Sequence, residues 1–167
     1  MRHPDTTVIC CSVPRHDSIR AWKFFDACDS LGVKGRIIPA TESAPDKPLE
    51  HLGVLDLSKY DTIITHGKDG EYGHLHHKQV HEFITSYYPE KNILSFGFGK
   101  GEIRLELTED EQQRKLAALQ CYDHIWPYQG RNIPKWRALM ERYVWSNEVN
   151  FKLETYTWSN LITSSSS

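Results

Sequence analysis

The chain has 167 residues, a net charge of −2, and 39% hydrophobic and 11% aromatic content. That is enough for one folded domain with a core; it excludes a non-specific nucleic-acid-binding surface, and no apolar run approaches a membrane span. No apolar leader follows Met1, and Cys10, Cys11, Cys28 and Cys121 form no CxxC pair, so the expectation is a cytoplasmic protein with reduced thiols and no cysteine zinc site.

"TTVICCSV" (6–13) is short, β-branched and apolar, and predicts a buried strand. "DSIRAWKFFDACDSLGV" (17–33) predicts a helix with Asp17 as its cap and an apolar stripe through Ile19, Trp22, Phe24, Phe25, Cys28 and Leu31. Gly32 suits a left-handed stop. "GRIIPA" (35–40) is a second strand, and residues 41–58 form a proline-bearing acidic loop. "YDTIITH" (60–66) is a strand; a turn with Gly67, Gly70 and Gly73 leads to a helix from about His74 to Tyr87, ended by Pro89. "NILSFGFG" (92–99) is a further strand, and "EIRLEL" (102–107) alternates as an edge strand. "TEDE" (108–111) is a capping-box signature for a helix to about Tyr122, and Pro134 opens another through Val144. No repeat or linker is visible, so the expected organisation is one domain over residues 1–162, followed by a disordered serine-rich tail at 163–167.

Strands alternating with helices predict an α/β fold with a mainly parallel, Rossmann-like sheet flanked by helices. Ligands in such sheets bind beyond the carboxyl ends of strands. Strand 60–66 ends at Thr65 and His66, directly before "THGKDGEYGHLHHKQVHEF" (65–83), which holds five of the nine histidines. On one helix, His74, His77 and His81 share a face at three- and four-residue spacing, whereas His76 points elsewhere. His74 and His81 would lie about 10 Å apart along the axis, too far for one ion. The segment therefore offers at most two metal ligands unless the turn bends. Against this stands an ordinary polar, histidine-rich helix face, with Glu71 solvated and Tyr72 packed on the sheet.

The stretch "THGKDGEYGHLHHKQVH" closely resembles the second signature block of the PIG-L/LmbE-like N-deacetylases, approximately T-H-x-x-x-G-E-Y-G-H-P-x-H. Thr65, His66, Gly70, Glu71, Tyr72, Gly73, His74 and His77 match; Leu75 replaces the usual proline, and His76 stands where Asp or Asn is common. Upstream, "RAWK…LGV" (20–33) resembles a family helix in spacing, with Lys23 where the family has Glu. The resemblance implies a zinc-dependent hydrolase that removes acetyl from an N-acetylated amino sugar or its conjugate. It implies Zn2+ as cofactor, His77 as a zinc ligand, His74 as oxyanion stabiliser and proton donor, and Tyr72 as a donor to the substrate carbonyl. Arg20, Glu71 and His66 are the substrate-binding candidates.

The family's first block, H-P-D-D-E, supplies a His and an Asp to zinc and an Asp as general base. Here "RHPDTT" (2–7) has Thr6 in place of the second Asp, only two residues precede His3, and a strand follows at once. Residues 6–40 align better with the family's second strand, helix and third strand. The resemblance then leaves out the first central strand, its helix, two zinc ligands and the base, unless His3 and Asp5 rebuild the site. Three alternatives follow: a truncated chain, a rebuilt site, or a relative without catalysis. Truncation would expose strand edges and favour homo-oligomers, and an incomplete ligand shell would bind metal weakly. The competing functions are a non-catalytic carbohydrate-binding or scaffold relative, with Trp126, Trp136, Trp145 and Trp158 stacking on sugars, and an unrelated histidine-rich metal hydrolase such as a phosphoesterase.

Overall fold

The computed structural model describes residues 5–14, 18–38, 41–42, 49, 52–97, 101–122 and 148–155. Helices and strands are mixed in an α/β fold. The chain divides into two compact units, Met1–His51 with Leu105–Val149 and Leu52–Arg104 with Asn150–Ser167.

The first unit is built on a β–α–β crossover. Strand β1 (Thr7–Cys10) pairs in parallel with β3 (Lys34–Ile37), Thr7 opposite Lys34 and Cys10 opposite Ile37. The predicted strand over 6–13 is in fact two pieces. After β1 the chain continues into a two-residue β2 (Val13–Pro14), which pairs in parallel with β4 (Thr41–Glu42). Helix α1 (Ser18–Leu31) connects β2 to β3. It stops where the sequence predicts: Gly32 has φ +68°, its N–H donates to the Asp29 carbonyl, and the Val33 N–H reaches back to the Cys28 carbonyl at 3.0 Å. This paired arrangement satisfies the last orphan carbonyls of the helix.

Gly35 in β3 explains how closely α1 approaches its strand. A Cβ there would stand 3.0 Å from Cys28 Sγ and 3.1 Å from both the Phe24 and Phe25 rings. Phe24, Ala27, Cys28 and Ile38 are buried in this unit, with Ala118 of α4 (Glu109–Gln120). The predicted capping box of α4 is present: Thr108 Oγ1 accepts the Glu111 N–H, and the Glu111 carboxylate accepts the Thr108 N–H at 2.9 Å. Burial and the neighbouring Cys10, Cys28 and Cys121 thiols push the Tyr122 phenol up to about 12.

The second unit repeats the crossover. Strand β5 (Thr62–Thr65) runs parallel to β6 (Asn92–Phe96), Thr62 opposite Asn92 and Thr65 opposite Ser95. Between them lie a short helix α2 (Gly70–Gly73) and α3 (Leu75–Tyr87). His76, Val80 and Ile84 are the buried positions of α3; their four-residue spacing is the stripe a helix lays on a sheet. Strand β5 alternates exposed and buried residues, hiding Ile63 and Thr65, and β6 buries Ile93 and Ser95 completely. Before β5, the Tyr88 hydroxyl donates to the Leu55 carbonyl and accepts the Leu57 N–H at 3.2 Å, tying the incoming loop to the end of α3.

The sheet order is β5-β6-β8-β7, with β7 (Ile103–Glu106) at the edge as expected. Strand β8 (Glu148–Thr155) is not among the sequence expectations. It runs antiparallel to β6, with a register irregularity at Ile93/Leu94, so this sheet is mixed rather than wholly parallel. The predicted helix over 134–144 and the tail at 163–167 lie outside the described residues. Among the described residues no helix is long and apolar enough to cross a membrane.

Candidate functional site

The site belongs to the second unit and grows out of the carboxyl end of β5. After Thr65 the chain turns at once: the Gly70 N–H donates to the Gly67 carbonyl at 2.8 Å. Three of the next residues have positive φ: Gly70 (+64°), Glu71 (+57°) and Gly73 (+92°). Glycine tolerates this at no steric cost, but a glutamate does not. His74, in an extended conformation, separates α2 from α3. The helix expected from about His74 to Tyr87 is α3, with His74 as its N-cap residue, and the glycine turn before it holds the additional short α2.

This break brings Glu71 back over the end of β5. Its side chain is 3% exposed. Oε1 accepts the Gly67 N–H at 2.8 Å. Oε2 meets His77 Nδ1 in a short hydrogen bond and lies 3.3 Å from His66 Nδ1. The last is an ion-pair distance without hydrogen-bond geometry, and His66 Nδ1 is a buried atom with no hydrogen-bond partner. Burial alone would raise the Glu71 carboxyl; the contacts from His66 and His77 and the Gly67 N–H outweigh it and hold the group well below the usual carboxylate range.

Around this carboxylate the imidazoles crowd together. The His66 and His77 rings stack with centroids 3.8 Å apart and planes 11° from parallel. The His74 ring lies 4.5 Å from that of His77 and 5.2 Å from that of His76. His81 Nδ1–H donates to the His66 carbonyl at 2.8 Å, fixing the strand end from one turn further along α3. Among the described residues one group of ligand-type side chains is close enough to share a cation: His66, Glu71 and His77, whose ligand atoms all lie within 4.8 Å of one another.

At the end of β5 the His77 ring stacks on that of His66, and the His74 ring lies next to that of His77. Glu71 and His66, read from the sequence as substrate-binding candidates, lie against His77. His81 enters as a support for His66 that the sequence reading did not assign; its signal was the four-residue spacing from His77. The side chain of Tyr72 lies outside the described residues, as does His3. Asp5 is an exposed turn residue of the first unit, and Arg20 is a half-buried residue of α1 in that same unit. Comparison with protein-family models, with curated proteins and with solved structures finds no match to this chain.

Proposed function

We propose that the chain is a zinc-dependent amide hydrolase that removes acetyl from an N-acetylated amino sugar or its conjugate. The observation that carries this is the buried Glu71 carboxylate with its Oε2 turned toward both His66 and His77, inside the stretch that resembles the N-deacetylase signature. Each unit contains a β–α–β crossover with a parallel strand pair, which supports the α/β part of that reading.

The donor chemistry fits the implied ion. Two imidazoles and one carboxylate suit zinc, and three protein ligands leave one position for water. The orphaned His66 Nδ1, buried and 3.3 Å from a carboxylate oxygen, is a donor in need of a partner. Zinc, when bound, would supply a Lewis acid and a water acidic enough to attack an amide. His77 would hold it, as the resemblance implies. The remaining work falls to the chain's own side chains. His74, with its ring 4.5 Å from that of His77, would donate to the oxyanion and pass a proton to the leaving amine. Tyr72 would add a second donor to the carbonyl. Glu71 would keep the strand-end turn closed through the Gly67 N–H.

The test is release of acetate from N-acetylglucosaminides by the zinc-supplemented chain, against release of phosphate from phosphomonoesters. Chelator-sensitive acetate release supports the proposal. Phosphate release alone supports the unrelated metal hydrolase. Sugar binding without either product supports a non-catalytic relative.

A further inference from the structure

The resemblance assigns one zinc ligand to this stretch and looks for the others near the amino terminus. The geometry points to a different arrangement: we propose that His66, Glu71 and His77 form a self-sufficient two-histidine, one-carboxylate site for a borderline divalent cation, built entirely from twelve consecutive residues. This deepens the proposed function by naming the ligand set, and rests on that reading only for the choice of zinc.

The distances support it. Two ligand atoms on one tetrahedral zinc, each bonded at roughly 2.0–2.1 Å, stand about 3.3 Å apart. His66 Nδ1 and Glu71 Oε2 are already 3.3 Å apart, and all three ligand atoms lie within 4.8 Å. The carboxylate is also pre-oriented. Gly67 N–H holds Oε1 at 2.8 Å, which turns Oε2, now in contact with His77 Nδ1, toward both imidazoles. The His81 Nδ1–H bond to the His66 carbonyl holds the strand end from which the first imidazole projects, the kind of outer support that metal-ligating histidines receive.

Two adjustments are required. The short hydrogen bond between His77 Nδ1 and Glu71 Oε2 must open and give up its proton, since two ligand atoms of one zinc stand about 3.3 Å apart. A metal lies in the plane of each imidazole that binds it, and the His66 and His77 rings are stacked almost parallel. One ring must therefore turn about its Cβ–Cγ bond, a torsion with a broad, soft profile. The side chains of His66 and His77 are 33% and 24% exposed, so each has room on its solvent side.

His74 belongs to a different role. Its ring neighbours that of His77, but it is absent from the group of convergent ligand atoms. The alternative site is a His74–His77 pair, the usual chelate of an HxxH helix. Here His74 precedes α3 in extended backbone, so the regular three-residue spacing along one helix does not apply.

The experiment is a zinc titration of the chelator-stripped full chain by competition with a chromophoric chelator, backed by the visible absorption spectrum of the cobalt-substituted protein. The same titration is run on His66→Ala, Glu71→Gln, His77→Ala and His74→Ala, each first checked for native circular dichroism. One ion per chain is expected. Loss of a ligand should cost more than the 10–100-fold typical of an outer-shell partner, so at least about a hundredfold for the first three variants. His74→Ala should stay within about threefold of the parent. If Glu71→Gln does not fold, His66→Ala carries the decision, since its side chain is the most exposed of the three. Absence of zinc binding, or equal losses in His74→Ala and His77→Ala with His66→Ala unaffected, overturns the ligand set. Zinc held by this triad without acetate release would instead sink the proposed activity and leave the site standing. Chelator-sensitive acetate release that survives His66→Ala would do the reverse.

Discussion

Glu71 is held with φ +57°, and that makes its replacement by alanine and by glycine unequal in an unusual direction. Both substitutions remove the carboxylate. Both leave the Gly67 N–H and the His77 ring without their acceptor in a buried setting. Breaking a buried, charge-assisted set of contacts of this kind costs about 3 kcal/mol. The backbone then separates the two. Alanine, like glutamate, pays roughly 1–2 kcal/mol to sit in the left-handed region, and glycine does not. Glycine gives back about 0.5–1 kcal/mol through its freer unfolded chain. The glycine variant should therefore be the more stable by about 0.5–1 kcal/mol, against the ordinary preference for alanine within helices. Urea unfolding of the metal-free proteins, followed by circular dichroism, measures both gaps. If the alanine variant equals or exceeds the glycine variant, the left-handed placement of Glu71 is wrong. The fold-back that aims its carboxylate at the histidines would fall with it.

Gly101→Ala should disrupt the sheet of the second unit, because its Cβ would stand 2.3 Å from the Phe151 carbonyl oxygen, a backbone atom that cannot step aside. Gly53→Ala, with nothing within 4 Å, should be neutral or slightly stabilising, and thermal melts of the two variants beside the parent check both outcomes. Thr108→Ala removes the Oγ1 acceptor of the capping box and should cost about 1 kcal/mol, readable as a lower denaturation midpoint. The Cys11 thiol is pushed up to about 11 by burial and by Cys10. A thiol raised on folding contributes stability that is complete below pH 9 and lost as pH climbs through about 11. Relative to Cys11→Ala, the parent should lose about 2 kcal/mol across that window, and parallel pH profiles would contradict the burial.

Much of the fold was legible because local chemistry and tertiary structure agree. Gly32 stops α1 through its positive φ, and Thr108 and Glu111 cap α4 reciprocally. The strand ending at Thr65 with a glycine turn after it gave the location of the site. Strand β8 was missed although Val149, Phe151 and Leu153 alternate; what makes the segment a strand is its long-range pairing with β6, which no local signal encodes. The site itself was half legible. A straight helix limits its histidines to two ligands, and only a bend in the turn could add more. That bend depends on Glu71 adopting a conformation its own side chain disfavours. A sequence reading assigns such a residue to the surface, and so Glu71 and His66 were separated from His77.

The proposed function is tested most directly by the division of labour it gives His74 and His77, read as zinc content and acetate release measured on the same samples. His77→Ala should lose its metal and its activity together, because it removes a ligand. His74→Ala should keep its metal and lose roughly a hundredfold or more in turnover, because its contribution is made to charge that appears only in the transition state. Unchanged acetate release from a zinc-loaded His74→Ala protein, or activity in a His77→Ala protein free of metal, would contradict it.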